Sequence, residues 1–297
     1  MAEDTAPANG IEIAYETIGD PSNPPLLLVM GLGMQLIHLD LELCRQLAER
    51  GFYVIRFDNR DAGHSTKVDA PVPNVMKAMA GLPIKAPYLL EDMANDSFGL
   101  LDHLGIERAH VIGASMGGMI AQTMAITRPE RVLSLGSMLS TTGDRRVGTP
   151  KLRVWSVLMR RAPQGRDAYI DYFVRVFRLI GSPRYPVDEQ RIREQAAETY
   201  DRCHYPAGTA RQLAAILASG SRTAALRKLD VPTVVVHGTD DPLVPFRAGV
   251  ATAKAIPGAE FVAIPGMGHD LPRELWPRFT DALVANSERA ATPSPAP

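Results

Sequence analysis

Residues 108–120 read RAHVIGASMGGMI, with Ser115 at the centre of Gly113-Ala114-Ser115-Met116-Gly117. A β-branched run ends in a G-x-S-x-G turn and a helical pattern begins at once, which is the layout of a nucleophile elbow. The chain must pass from strand to helix within about one residue, so the serine sits in a strained conformation with its Oγ clear of the sheet edge. Side chains two residues to either side would collide with strand and helix. Glycine stands at both places, and Gly118 adds room.

Outward from this turn, the first half of the chain alternates strand and helix patterns. IEIAYETIG (11–19) has period two, PLLLVMG (25–31) is a continuous apolar run, and FYVIRFD (52–58) and RVLSLGSML (131–139) read as further strands. Between them lie helical spacings in HLDLELCRQLAERG (38–51), YLLEDMANDSFGLLDHLG (88–105) and MIAQTMAITRP, the last stopped by Pro129. The rhythm breaks between 145 and 228, where VWSVLMRR, YIDYFVRVFRLIG and ARQLAAILASG predict three to five helices and no strand. It resumes with VPTVVVHG (231–238), a helix near 246–255, AEFVAIPG (259–266) and a final helix over 271–286 with Pro277 inside it or at its boundary. The expectation is an α/β fold: a mostly parallel central sheet with helices on both faces and a helical cap inserted late in the sheet. Core segments fall at 10–144 and 229–287, the cap at 145–228, and a disordered Pro/Ala/Ser-rich tail at 288–297.

Composition narrows the function classes. A hydrophobic share of 45%, a charged share of 22% and a net charge of −1 describe a globular domain without the basic excess of a nucleic-acid binder. The charge is uneven, because residues 145–228 carry 17 basic and 7 acidic side chains. That excess can attract an anionic substrate or a membrane surface, or pair with the acidic core. Cys44 and Cys203 are too few for a disulfide framework, and no Cys/His cluster has metal-ligand spacing, so no metal or cofactor is expected. The opening MAEDTAPANG is acidic and lacks the apolar segment of a secretory leader, and no apolar run suggests a membrane span. A cytoplasmic protein is expected, with no stable membrane insertion. A homodimer is compatible with this reading.

A serine hydroxyl needs a base, and the base needs a group to orient it. In this architecture the acid and the histidine follow the serine in that order, at the ends of later strands. TVVVHG runs into TDDPLVP, which offers Asp240 and Asp241; the prolines at 242 and 245 stiffen the loop and favour Asp241, with Asp240 the alternative. GMGHDLP places His269 before the final helix, with Gly266 and Gly268 to let the loop cross the strand ends. The backbone N–H groups of Met116 and Leu32 are the expected oxyanion donors, with Gly33 the near alternative to Leu32. Met30, Met34, Met116, Met119 and Met267 fall near the same edge. Met30, Met34, His38 and Met267 are expected to line the substrate pocket, and His64 could border it. His103, His110, His204 and His237 are read as structural or remote.

In this order of motifs the chain resembles the α/β-hydrolase fold family over about residues 10–287. FDNRDAGHST is similar to that family's D-x-R-G-x-G-x-S turn, from which Asp61 and Ala62 depart; Asp58 and Arg60 are read as holding this loop rather than performing chemistry. Met30-Gly31 stands where many members carry His-Gly. The combination of VMGLG, NRDAGHST, GASMGG and PGMGH looks most like the aclacinomycin methylesterase-like group of serine esterases, whose relatives are also labelled lipases or carboxylesterases. The resemblance implies cofactor-free hydrolysis of a small-molecule ester by Ser115, Asp241 and His269 beneath a helical cap. Thioester, lactone or carbon–carbon hydrolysis and perhydrolysis use the same residues, and a non-catalytic binding protein of this fold is the remaining alternative.

Overall fold

The computed structural model describes residues 3–75, 84–151, 154 and 162–291. Eight strands form one sheet: β1 (Asp4–Ala8), β2 (Ile11–Ile18), β3 (Pro25–Val29), β4 (Tyr53–Phe57), β5 (Ala109–Ala114), β6 (Val132–Met138), β7 (Thr233–Gly238) and β8 (Glu260–Ile264). Their order is β1-β2-β4-β3-β5-β6-β7-β8, antiparallel at β1/β2 and β2/β4 and parallel elsewhere. The six parallel strands therefore all deliver their carboxyl-terminal loops to one edge, where ligands bind in open α/β sheets. β1, with the sequence DTAPA, has no apolar run to announce it. It forms because Ala6 and Ala8 bury against the neighbouring helix, and Pro7 is tolerated because the strand lies at the sheet's rim.

Successive strand residues point to opposite faces, and the core divides accordingly. Leu27, Val29, Ile55 and Val111 pack with Met93 and Phe98 of α2 (Leu90–His103) and Ile120 and Met124 of α3 (Met116–Thr127). Leu26, Leu28, Val54 and Ile112 pack on the other face with Leu43 and Leu47 of α1 (Leu41–Glu49) and Phe279 and Leu283 of α8 (Trp276–Ala291). Each such side chain contributes about 1.5–3 kcal/mol relative to exposure, so the sheet is clamped from both sides. α8 begins at Trp276 with Pro277 in its first turn, where no N–H is needed. It also runs beyond the expected end at 286. Residues 288–291, read as disordered tail, are its last turn, and Arg289 there donates to the Gly258 carbonyl (2.7 Å).

Between β6 and β7 the chain builds the cap from α4 (Arg166–Ile180), α5 (Glu189–Arg202) and α6 (Pro206–Ser219). Most of VWSVLMRR lies outside the described residues. α4 turns Ile170, Phe173 and Val174 inward at helical spacing, where Phe173 meets Phe177 with ring centroids 4.8 Å apart. Single helical turns at Arg145–Gly148 and Thr223–Leu226 flank these three cap helices, and α7 (Phe246–Ala255) precedes β8.

Candidate active site

Ser115 stands between β5 and α3 with φ +57° and ψ −118°, a backbone region that non-glycine residues occupy only under constraint. Its N–H donates to the Met138 carbonyl (2.8 Å), and its carbonyl accepts from Ser140 Oγ (2.7 Å). A Cβ at Gly113 would lie 2.0 Å from the Gly117 oxygen, and one at Gly117 would lie 2.0 Å from the Val29 oxygen. Strand and helix thus approach so closely that only glycine fits on either side of the serine.

Asp241 follows β7 and is buried. Its Oδ1 accepts the N–H groups of Leu243 (2.9 Å) and Val244 (2.8 Å), and its Oδ2 lies 2.6 Å from Nδ1 of His269. Asp240 is exposed and accepts instead from the Thr239 hydroxyl (2.8 Å). A proton on Nδ1, directed at the carboxylate, leaves Nε2 with its lone pair free. Ser115 and His269 line one cavity of about 1640 Å³ between the strand ends and the cap. Neither Ser115 Oγ nor His269 Nε2 has a hydrogen-bond partner among the described residues.

The histidine loop is gripped by the cap. The His269 N–H donates to the Ile180 carbonyl (2.7 Å) at the end of α4, and the Gly268 N–H donates to Ser182 Oγ (2.8 Å). The Ser182 hydroxyl in turn donates to the Asp270 carboxylate, whose burial pushes its pKa up. Nothing in the Gly-Ser-Pro sequence at 181–183 signals this contact, because it exists only once two distant segments meet.

On the opposite side of Ser115 the Gly33 N–H is committed to Gln212 Oε1 (2.8 Å). The N–H groups of Leu32 and Met116 have no protein acceptor among the described residues. Met30, Met34, His38 and Met119 line the cavity, with Phe173 of the cap beside them. Burial pushes His38 down to about 4, so its ring is neutral at pH 7; Nε2 lies 3.2 Å from Thr199 Oγ1. Met267 does not line the cavity. It is fully buried in the core with Ile264, Leu275 and Phe279, because its loop turns the side chain under the sheet edge. Met116 is likewise buried, and His64 faces Glu3 (2.6 Å) rather than the cavity. His237 Nε2 lies 2.8 Å from the Val244 carbonyl and props the Asp241 loop.

The 58–66 loop is held by ion pairs that sequence did not disclose. Asp58 takes the N–H groups of Leu36 (2.7 Å) and His64 (2.8 Å) and pairs with Arg202 of α5 (2.6 Å). Arg60 pairs with Asp96 of α2 (2.5 Å), so each anchors the loop through its own partner. Asp61, where the resembled family has glycine, has φ +68°. Its carboxylate takes Arg211 of α6 in a two-pronged pair (2.8 and 2.9 Å) and the Tyr88 hydroxyl (2.7 Å). Burial raises this carboxyl, but the donors from Arg211, Tyr88 and the Val68 N–H outweigh it and hold it below the usual range. The departure from glycine therefore binds the cap to the core.

An elbow serine, a carboxylate-braced imidazole and the N–H groups of Leu32 and Met116 thus all lie beyond the carboxyl ends of parallel strands. Residues 24–272 match the alpha/beta hydrolase fold family, and the chain belongs to that family. It is 30% identical over 304 aligned positions to the rhodomycin D methylesterase DauP of Streptomyces sp. strain C5, covering 93% of this chain and 95% of that one. It is 29% identical to rhodomycin D methylesterase DnrP of Streptomyces peucetius with the same coverage. Among solved structures, the enol-lactonase of Burkholderia xenovorans LB400 aligns with a TM-score of 0.70 and 26% identity, covering 95% of this chain and 99% of that one. No described helix is long and apolar enough to cross a membrane.

Proposed function

We propose that the protein is a serine hydrolase that cleaves a small-molecule carboxylic ester through an acyl-enzyme. The observation that carries this reading is the Asp241–His269 contact of 2.6 Å beside a cavity that Ser115 shares. His269 Nε2 accepts the proton from Ser115 Oγ as the oxygen attacks the ester carbonyl. The negative charge that develops on the carbonyl oxygen is taken by the N–H groups of Leu32 and Met116, which are otherwise unused. The proton passes from His269 to the departing alcohol. Water, deprotonated by the same ring, then attacks the acyl carbonyl and releases the acid. Asp241 keeps the ring in its productive tautomer and stabilises the imidazolium, and the resident chemistry needs no further group. Met30, Met34 and Phe173 offer an apolar, deformable wall for the acyl portion.

The esterase reading is preferred over lactone or carbon–carbon hydrolysis because the methylesterase relatives share more of the sequence, 30% and 29% identity against 26% for the enol-lactonase. The test is a panel of p-nitrophenyl and methyl esters graded by acyl length, with lactones and thioesters in parallel. Wild type is expected to turn over esters, and Ser115→Ala is expected to unfold at the wild-type temperature with essentially no turnover. Ester turnover retained by Ser115→Ala would remove this mechanism.

A further inference from the structure

Several of the cap's arginines are neutralised by pairing. Arg166 pairs with Asp201, Arg193 with Asp171 and Glu189, Arg191 with Asp40, Arg202 with Glu3 and Asp58, and Arg211 with Asp61. Arg222 is different. It is only 9% exposed, and its side-chain partners are uncharged: Nε donates to Gln122 Oε1 (3.1 Å) and Nη2 to the Thr141 carbonyl (2.8 Å). Nη1 takes no acceptor, and no carboxylate pairs with Arg222, among the described residues. Burial draws its pKa down to about 10, which still leaves it a cation at neutral pH. A buried charge without a counter-charge is costly, and an anionic ligand group would relieve that cost.

The position of this guanidinium gives the charge a use. Arg222 lines the cavity shared by Ser115 and His269. Its backbone N–H donates to the Thr142 carbonyl (2.7 Å), which ties it to the segment leaving β6, and β6 ends at Met138, the acceptor of the Ser115 N–H. The 143–145 stretch lies against 220–222, since a Cβ on Gly143 would fall 2.2 Å from the Gly220 oxygen. That contact brings Arg145 to the same wall; it too lines the cavity and has no ion pair among the described residues. The local carboxylate, Asp144, is already bound by Arg146 (2.7 Å).

We propose that Arg222, supported by Arg145, is a specificity-determining anion site that receives an ionised carboxylate carried by the substrate in addition to the ester group that is cleaved. The site selects half-esters of dicarboxylic acids over the corresponding neutral diesters. This assignment rests on the ester-hydrolase reading of Ser115. A guanidinium with one open nitrogen in a largely apolar cavity suits a carboxylate, and charge-assisted bonds of this kind are among the stronger ones.

The test is binding of monomethyl and dimethyl esters of straight-chain dicarboxylic acids, graded in length, to Ser115→Ala protein by calorimetry. Because nothing is turned over, the result is independent of whether Ser115 is the nucleophile, which the ester panel decides separately. At the best-fitting length the half-ester is expected to bind at least about tenfold tighter than its diester. Arg222→Gln in the same background is expected to abolish that preference while leaving diester binding within about twofold. Gln122→Glu places a carboxylate against Nε and is expected to abolish it as well, which covers the case where Arg222→Gln does not fold. Equal binding of half-ester and diester at every length would overturn the proposal, and so would an equal loss for both esters in Arg222→Gln.

Discussion

Asp241 Oδ2 and His269 Nδ1 lie 2.6 Å apart, although 28 positions separate them in sequence. The loop after β7 buries the carboxylate and satisfies its other oxygen with two backbone N–H groups, so the charge cannot turn away from the ring. Asp241→Asn preserves the shape but reverses the hydrogen-bond demand on Nδ1. Turnover of a p-nitrophenyl ester is expected to fall by about three to four orders of magnitude with KM little changed, as steady-state kinetics would show. An Asp240→Asn control is expected to stay within about twofold of wild type, because that side chain is solvated.

The cap's hold on the histidine loop gives a second expectation. Ser182 Oγ accepts from the Gly268 N–H and donates to Asp270, so Ser182→Ala leaves a buried N–H and a buried carboxyl short of partners. A loss of about 1–3 kcal/mol in stability is expected from urea melts, together with a lower kcat, since the ring loses part of its support. Unchanged kcat with lowered stability would show the contact to be structural only.

The Asp61–Arg211 pair is buried on both sides, with its partners 2.8 Å apart. Removing one member strands the other, so Arg211→Met is expected to cost about 3–5 kcal/mol. Asp61→Gly relieves the left-handed backbone while discarding the charge. The double variant Asp61→Gly/Arg211→Met is therefore expected to be more stable than Arg211→Met alone, by equilibrium denaturation.

Acid sensitivity follows from the buried imidazoles. Burial pushes His110 down to about 4 from an ordinary 6.5. Below pH 6.5 the unfolded chain binds a proton that the folded chain refuses. Stability therefore falls as pH drops and keeps falling until the folded value near 4 is passed. His110→Gln is expected to remove about 1–2 kcal/mol of the loss between pH 7 and pH 5 in denaturant titrations at both pH values.

Much of this was legible in the sequence because the signals are local. The elbow glycines, the apolar runs of β3 and β7 and the acid and histidine loops each state their geometry within a few residues. What was not legible depends on encounters. β1 has no apolar run and is recruited by its neighbours. Met267 has the composition of a pocket residue, yet the turn that presents His269 sends it into the core. Asp61 looks like a lost glycine until Arg211, 150 positions later, arrives to pair with it. The unpaired charge of Arg222 is likewise a property of the packed structure, since only there do Arg191, Arg202 and Arg211 find their acids and Arg222 find none among the described residues.

The most direct test of the account is labelling with a fluorophosphonate, followed by peptide mass spectrometry. The account predicts one adduct, on Ser115, formed at least about a thousandfold more slowly in His269→Ala than in wild type. Labelling at another residue, or an unchanged rate in His269→Ala, would contradict it.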